Sequence, residues 1–214
     1  MVKNATGILK LENNSAFTEA LSEIETFSHL WLIFVFHKDL DKPWRSKIDP
    51  PKLDAKKKVG VFASRSPHRP NPIGMSVVKL ERIDWDAPKG IEIHLSGIDL
   101  LDQTPILDIK PYLPYSDSVL DANSGWVDTE MPKYSVSFSA ESLETLSNLS
   151  KKTHPKIKEL IEQMLEWDPR PTSQRRSLPM NSPKTNLMKF AFRLHDLDIH
   201  WQIQNGSPHV TEVR

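Results

Sequence analysis

Residues 60–76 hold the side chains of this sequence that are best suited to bind a polar or anionic ligand. They include Arg65, His68, Arg69 and Asn71. The two guanidinium groups can bind a carboxylate, a phosphate or a purine edge through paired hydrogen bonds. The imidazole can exchange a proton near neutral pH. The residue types of loop 60–76 therefore predict a binding site for a polar or anionic ligand, with one side chain that can exchange a proton.

Prolines stiffen loop 60–76. Pro67, Pro70 and Pro72 fix their own φ angles and push the preceding residues into extended conformations. Gly74 offers a point where a ligand could approach the backbone closely. We therefore expect a preorganised, non-helical loop. The alternative is a solvated surface connection whose arginines bind nothing.

Loop 60–76 resembles the signature of the TrmO-type (TsaA-like) family, the tRNA N6-methyltransferases that act on the adenosine 3′ of the anticodon. Other segments are similar to the same family, in its order and at its spacing. They are Phe-Ser-His-Leu-Trp at 27–31 with Phe-His at 36–37, Asp-Gln-Thr-Pro at 102–105, Asp-Ile-Lys-Pro-Tyr-Leu-Pro at 108–114, Asp-Pro-Arg-Pro at 168–171 and Leu-His-Asp at 194–196. The resemblance implies methyl transfer from S-adenosylmethionine to N6 of threonylcarbamoyladenosine at position 37 of tRNA.

The resemblance also implies which residues bind the cofactor. Arg65 or Lys38 can pair with the methionyl carboxylate, and Met75 offers a polarizable surface for the adenine. Asp102 can accept hydrogen bonds from the ammonium or hydroxyl groups. The alternatives are that Met75 belongs to the core and that Asp102 is a turn residue. The full expected set is His37, Lys38, Arg65, Met75, Asp102, Gln103, Thr104 and Pro105.

Asp108, Lys110 and His68 are the residues expected to act at the reacting nitrogen. The sulfonium of the cofactor is already activated, so the enzyme must align donor and acceptor and manage one proton. The acceptor is a ureido N–H, more acidic than a plain exocyclic amine, so a modest base suffices. Asp108 is one candidate base, and the alternative is a structural ion pair between Asp108 and Lys110. His68 is the other candidate proton acceptor.

The implied partner is the tRNA anticodon loop, whose splayed base favours recognition by stacking and by phosphate contacts. Arg69, Asn71 and Tyr112 are expected at the substrate, and Arg69 or Lys110 can bind its threonyl carboxylate. A basic run is a candidate phosphate contact or, alternatively, a solvated loop; it comprises Arg45, Lys52, Lys56, Lys57 and Lys58. Further candidates for RNA contact are Trp44, His195 and Arg170.

Composition narrows the function classes. Lysine plus arginine equals aspartate plus glutamate at 28 each, so no global field attracts nucleic acid, and RNA contacts need local patches. The absence of cysteine excludes disulfides and thiolate chemistry, and cytoplasm is the expected compartment. No dinucleotide-type glycine motif or metal-ligand spacing is found, so we expect no metal. The apolar run 30–36 is too short to span a membrane.

Hydrophobic periodicity predicts a mainly β fold. We expect an antiparallel β-barrel of about seven strands over residues 1–140, binding the cofactor, and a small C-terminal α+β domain over 141–214. Run 30–36 predicts a central strand buried on both faces. The other predicted strands are 8–11, 75–83, 91–95, 98–101, 106–109 and 134–138, with a hairpin at 188–194 and 199–203. The predicted helices are 17–24 and 154–167, the second with Thr153 as N-cap.

The resemblance raises an expectation about the N-terminus. Family members begin with a further strand and a Pro-Arg-Gln-like segment that contacts the cofactor, and residues 1–3 align inside that region. Either the sequence begins late or part of the pocket is missing, and we expect weaker cofactor binding. Because the family's pocket lies near a subunit contact, we expect a homodimer that also covers the exposed sheet edge.

Two other functions stay open at this point. One is a non-catalytic module of the same fold that binds S-adenosylmethionine or RNA. The other is a methyltransferase for another small nucleoside or amine, because a fold does not fix a substrate.

Overall fold

The computed structural model describes residues 2–50, 58–127, 132–186 and 188–214. The chain divides into two compact units, Met1–Asp128 and Thr129–Arg214. The assignment of separate roles to residues 1–140 and 141–214 stays a prediction. Within the described ranges, no helix is long and apolar enough to cross a membrane. The predicted basic residues Lys52, Lys56 and Lys57 lie outside the described residues.

The first unit is built on a five-stranded antiparallel sheet in the order β1-β6-β5-β2-β7. Strands β3 and β4 form a separate two-stranded ribbon. The strands are β1 (Thr6–Leu11), β2 (His29–Val35), β3 (Lys47–Ile48), β4 (Val59–Gly60), β5 (Ile73–Asp84), β6 (Ile91–Ser96) and β7 (Ile106–Pro111). The helices are α1 (Ser15–Ala20) and α2 (Pro114–Asp117), with 3-10 turns at Ile24–Thr26, His37–Asp39, Val61–Ala63 and Gly125–Val127.

The second unit has a four-stranded sheet in the order β8-β11-β10-β9. Its strands are β8 (Ser137–Phe138), β9 (Lys189–Leu194), β10 (Leu197–Gln204) and β11 (Ser207–Val213), and its helices are α3 (Ala140–Lys152), α4 (Ile157–Leu165) and α5 (Thr172–Ser177). Ile157, Ile161 and Leu165 of α4 pack in one core with Ile199 and Ile203 of β10. The predicted mainly β class, the helical stripe and the hairpin are therefore confirmed. Closure of the first sheet into a barrel stays a prediction.

Strand β2 lies between β5 and β7, as its apolar sequence predicts. Leu30, Leu32 and Phe34 are buried against the core of the first unit. Trp31 and Ile33, on the other face, are only half-buried. The prediction that both faces are buried is therefore wrong, because the second face of β2 is partly exposed.

Four predicted elements of the first 140 residues differ in the structure. The predicted helix 17–24 is shorter, because α1 ends at Ala20 and a separate 3-10 turn begins at Ile24. Loop 60–76 is not free of helical turns, because Val61–Ala63 forms a 3-10 turn. Residues 98–101 form no strand, because Gly97 turns the chain out of β6 with a φ of 73°. Run 134–138 shortens to β8, which pairs in parallel with β11 and so belongs to the second unit.

The predicted helix 154–167 begins later, at Ile157, with Lys156 at its N-cap. Thr153 instead ends α3, where its N–H donates to the carbonyl of Leu149. The prediction of Thr153 as an N-cap is therefore wrong. One helix ends at Lys152 and the next begins at Ile157, whereas the sequence pattern predicts only the beginning of a helix here.

Arg170 is a structural residue of the second unit. Its Nε and Nη2 donate to the two carboxylate oxygens of Asp168, each at 2.7 Å, and its Nη1 donates to the carbonyl of Leu178 at 2.9 Å. Both charged side chains are almost fully buried. Removing one partner of such a pair costs about 3–5 kcal/mol of folding free energy. The prediction that Arg170 contacts RNA is therefore wrong.

Gly74 lets two aromatic rings pack against β5. A Cβ atom at this position would overlap the Phe34 ring and lie 2.9 Å from Cζ of Phe36. The two rings meet edge to face, with centroids 5.3 Å apart. Phenyl rings, rather than a ligand, therefore occupy the space that the missing side chain leaves.

We predict that Gly74→Ala lowers the free energy of unfolding by about 1–3 kcal/mol, because the added methyl group displaces packed rings. Gly60→Ala is the matched control, since a Cβ there has no heavy atom within 4 Å and Gly60 has a φ of −60° that alanine adopts freely. Urea unfolding followed by tryptophan fluorescence measures both variants. Equal midpoints for the two variants would contradict the packing role of Gly74.

Candidate functional site

The end of β2 joins the two loops that carry most of the predicted cofactor residues. The N–H of Phe36 donates to the carbonyl of Pro72 in loop 60–76 at 2.8 Å, and the N–H of Val35 donates to the carbonyl of Pro105 at 3.1 Å. His37 follows at once in a 3-10 turn. We call residues 35–39, 72–73 and 102–105 the strand-end site. The structure therefore brings His37, Lys38 and residues 102–105 together.

The turn at 102–105 is held in a defined shape. The N–H and Oγ1 of Thr104 both donate to the carbonyl of residue 101, at 3.3 Å and 2.7 Å. Gln103 has a φ of 61°, in the left-handed region that few side chains adopt. Just before the turn, the buried Ser76 donates to Asp99 at 2.6 Å. These contacts leave Asp102 and Gln103 exposed at the strand-end site.

The two arginines of loop 60–76 have different environments. Nη1 of Arg69 donates to the carbonyls of Val61 at 3.1 Å and Ser64 at 2.7 Å, so this guanidinium holds the loop together. Arg65 is exposed, and no hydrogen bond or ion pair to its guanidinium is seen within the described ranges. Arg65 is therefore free to bind an anion, whereas Arg69 already has a structural task. Asn71 is also exposed.

His68 faces the 3-10 turn that carries His37 and Lys38. Its Nδ1 lies 3.9 Å from Oδ1 of Asp39, and the same oxygen accepts from Nζ of Lys42 at 2.8 Å. Among the residues that the structure describes, neither Nδ1 of His68 nor Nε2 of His37 has a hydrogen-bond partner, although both atoms are buried. Buried polar atoms in this state are available to a bound group.

Met75 and Asp108 lie on one face of the sheet, on either side of Ile33. Both residues are register partners of Ile33, so all three side chains point to the half-buried face. Met75 is 53% exposed, so it is not a core residue. Two strand spacings separate Met75 from Asp108, about 10 Å.

Asp108 forms an ion pair. Nζ of Lys110 lies 3.0 Å from Oδ2 of Asp108, and the N–H of Ile109 donates to Oδ1 at 2.8 Å. The hydrogen bond from Lys110, followed by that from Ile109, lowers the pKa of Asp108 below its usual value. A lower pKa makes the carboxylate a weaker base. The geometry therefore favours the ion-pair interpretation, and a catalytic role for Asp108 stays a prediction.

Tyr112 lies at the opposite end of β2. Its N–H donates to the carbonyl of His29, and its ring contacts Trp31 with centroids 6.0 Å apart. His29 and Val35 are separated by about 20 Å of extended strand. The structure therefore does not bring Tyr112 to the strand-end site, and its predicted contact with the substrate stays a prediction.

Sequence reasoning missed Asp39, which lies near His68, and Lys42, which donates to Asp39. The sequence feature that could have indicated Asp39 is an acidic residue two positions after His37.

Concave surfaces also lie in the second unit, and one of them is lined by Lys189, His200, Gln202, Glu212 and Arg214. None of the predicted site residues lines it. In the part of the chain described, no group of three histidine or acidic side chains could hold a metal ion.

We predict that Lys110→Met raises the pKa of Asp108 toward its usual value, because the largest cause of the lowered pKa is removed. The chemical shift of the Asp108 carboxylate carbon, followed by NMR from about pH 2 to about pH 6, measures this pKa. Lys10→Met is the matched control, since Lys10 pairs with Glu92 at 3.3 Å on another edge of the sheet. An unchanged titration of Asp108 in Lys110→Met would contradict the ion pair.

Comparison with known proteins agrees with this arrangement. Residues 1–118 match the tRNA-methyltransferase O N-terminal domain, and residues 131–214 match the TrmO C-terminal domain. A tRNA (adenine(37)-N6)-methyltransferase of Escherichia coli (strain K12) is 38% identical over 207 residues, which cover 96% of this chain and 84% of that protein. One of Eikenella corrodens with the same name is 43% identical over 149 residues, covering 70% of this chain and 80% of that protein.

Solved structures give the same result. The crystal structure of TrmO from Pseudomonas aeruginosa matches with a TM-score of 0.76 and 36% sequence identity, covering 100% of this chain and 86% of that one. Two family domains in succession, relatives above 30% identity and a shared structure all agree. The chain therefore belongs to the TrmO family of tRNA methyltransferases.

Proposed function

We propose that this protein is an S-adenosylmethionine-dependent tRNA methyltransferase that methylates N6 of threonylcarbamoyladenosine at position 37. The observation that carries the proposal is the strand-end site, where β2 joins loop 60–76 to the turn at 102–105 in a chain of the TrmO family. Relatives named tRNA (adenine(37)-N6)-methyltransferase support the reaction and the tRNA substrate.

The strand-end site and its neighbours fit S-adenosylmethionine. When bound, the cofactor supplies an electrophilic methyl group. Arg65 offers an exposed guanidinium for the methionyl carboxylate, and Met75 offers an exposed thioether surface for the adenine. His37 offers a buried Nε2 that has no partner among the described residues. Lys38, Asp102, Gln103, Thr104 and Pro105 complete the proposed set.

His68 is our proposed proton acceptor. Its Nδ1 is buried and has no hydrogen-bond partner among the described residues, so it can interact with a bound group. Asp108 is the weaker base because its pKa is lowered. Asp108 and Lys110 then provide charged groups that contact the substrate. Asn71 also contacts the substrate, and Arg69 maintains the shape of loop 60–76.

The proposed enzyme acts as a homodimer in the cytoplasm. Within the described residues, β1 pairs only with β6 and β7 only with β2, so both edges of the sheet are open to a second copy. The half-buried face that carries Met75 is also open. Closure of the sheet into a barrel belongs to the same proposal, but the proposed reaction does not depend on it.

We predict that the protein transfers a methyl group from S-adenosylmethionine to tRNA that carries threonylcarbamoyladenosine, and not to the same tRNA lacking the threonylcarbamoyl group. Nucleoside mass spectrometry after incubation measures the product. Methylation of both tRNAs, or of neither, would contradict the proposed substrate, and methylation of a small free nucleoside would favour a different acceptor.

We predict that Arg65→Ala weakens S-adenosylmethionine binding about 10- to 100-fold, the usual loss when a hydrogen-bonded charge is removed. Arg82→Ala is the matched control, since Arg82 is an exposed arginine on β5 with Asp84 nearby. Titration calorimetry measures both variants without any need for turnover. An Arg65→Ala protein with unchanged affinity would show that the carboxylate binds elsewhere.

A further inference from the structure

Phe62 is an exposed ring on an anchored turn. It is 74% exposed, whereas its neighbour Val61 is only 1% exposed. The N–H of Ser64 donates to the carbonyl of Val61, and Nε1 of Trp126 donates to the carbonyl of Ala63 at 2.8 Å. The backbone on both sides of Phe62 is therefore fixed. Phe62 is therefore an exposed apolar ring on a fixed backbone.

Arg69 supports the Phe62 ring from within loop 60–76. Its guanidinium carbon lies 5.6 Å from the ring centroid, within the range of a cation–π contact. The same guanidinium is fixed by Nη1, which donates to two backbone carbonyls. The ring therefore has a preset orientation while most of its surface stays free.

A second exposed aromatic ring lies on the neighbouring segment. Trp44 is 53% exposed. The residue after it, Arg45, donates its N–H to the carbonyl of His68 at 3.1 Å. The N–H of Val61 donates to the carbonyl of Ser46 at 3.0 Å. Trp44 and Phe62 thus lie on two adjoining stretches of backbone, each joined to the other by backbone hydrogen bonds of neighbouring residues.

The same surface is basic. Residues 42–50 and 58–71 contain six lysines and arginines but only one acidic residue, Asp49, in a chain whose total charge is balanced. Lys42 and Lys58 have acidic partners, Asp39 and Asp49. Arg45 and Lys47 are exposed, and no ion pair to either is seen within the described ranges. These two cations can therefore meet phosphate groups.

We propose that Trp44, Arg45, Lys47 and Phe62, the aromatic–basic patch, form a stacking subsite for bases of single-stranded RNA. Phe62 and Trp44 stack on bases, Arg45 and Lys47 contact phosphates, and Arg69 is a positioning residue for Phe62. The positive charge favours RNA over a second copy of this chain, because two such patches would repel each other. The identity of the RNA as a tRNA anticodon loop rests on the proposed function.

The test is binding of a fluorescently labelled anticodon stem–loop RNA, followed by anisotropy. We expect Phe62→Ala and Trp44→Ala each to weaken binding about 5- to 100-fold, the usual effect of losing one base-stacking ring. Phe62→Tyr keeps the ring and should bind within about twofold of the unchanged protein. Tyr115→Ala is the control, since Tyr115 is 87% exposed in the same unit but lies outside the patch.

Three results would overturn the proposal. One is an affinity of Phe62→Ala within about twofold of the unchanged protein, and another is an equal loss in Tyr115→Ala. A loss of S-adenosylmethionine affinity in Phe62→Ala with RNA binding intact would also overturn it, since the ring would then serve the cofactor. Phe62→Leu replaces Phe62→Ala if the alanine variant does not fold, because leucine keeps apolar bulk without a stacking face.

The salt dependence separates the two roles within the patch. Arg45→Gln and Lys47→Gln should each reduce the slope of log Kd against log salt by about 0.7, the value for one phosphate contact to a single strand. Phe62→Leu should leave the slope unchanged. Equal slopes for all variants would contradict the phosphate contacts.

The outcomes also distinguish this inference from the proposed function. If the unchanged protein binds the RNA through the patch but transfers no methyl group, the inference stands and the proposed function fails. If it methylates tRNA and Phe62→Leu binds RNA equally well, the inference alone fails. A protein that binds no RNA contradicts both.

Discussion

Two backbone hydrogen bonds at the end of β2 organise the strand-end site, the proposed cofactor site of the first unit. They join Val35 to Pro105 and Phe36 to Pro72, so one strand end fixes two loops that are distant in sequence. Because β2 lies inside the sheet and is buried on one face, its end is a rigid reference point. The loops therefore need little ordering when a ligand binds, which lowers the entropic cost of binding.

Side chains around this point divide into those that build the site and those that remain free. Arg69 and the Asp108–Lys110 pair already have partners, so their charges mainly shape the surface. Arg65 and the buried ring nitrogens of His37 and His68 have none in the described part of the chain. The two buried ring nitrogens gain most from a bound ligand, because burial without a hydrogen bond is unfavourable, whereas the exposed Arg65 offers a positive charge to an anion.

The sequence was sufficient to predict the mainly β class, the interior position of β2, the β9–β10 hairpin and the stripe of α4, because hydrophobic periodicity reports burial directly. It did not predict β11. The register of the β10–β11 pair shifts between His200 and Trp201, and this bulge interrupts the apolar alternation of β11. For the site, loop 60–76 was identified by its residue types. The contacts of Arg69 and His68 depend on atoms brought together by folding, which spacing along the chain does not show.

We propose that S-adenosylmethionine binds where β2 joins its two loops. The most direct test is a crystal structure of the protein grown with S-adenosylhomocysteine, the product form of the cofactor. We expect density for the ligand against Arg65 and residues 102–105. Density at another place, such as the concave surface lined by Lys189, His200 and Gln202, would contradict it.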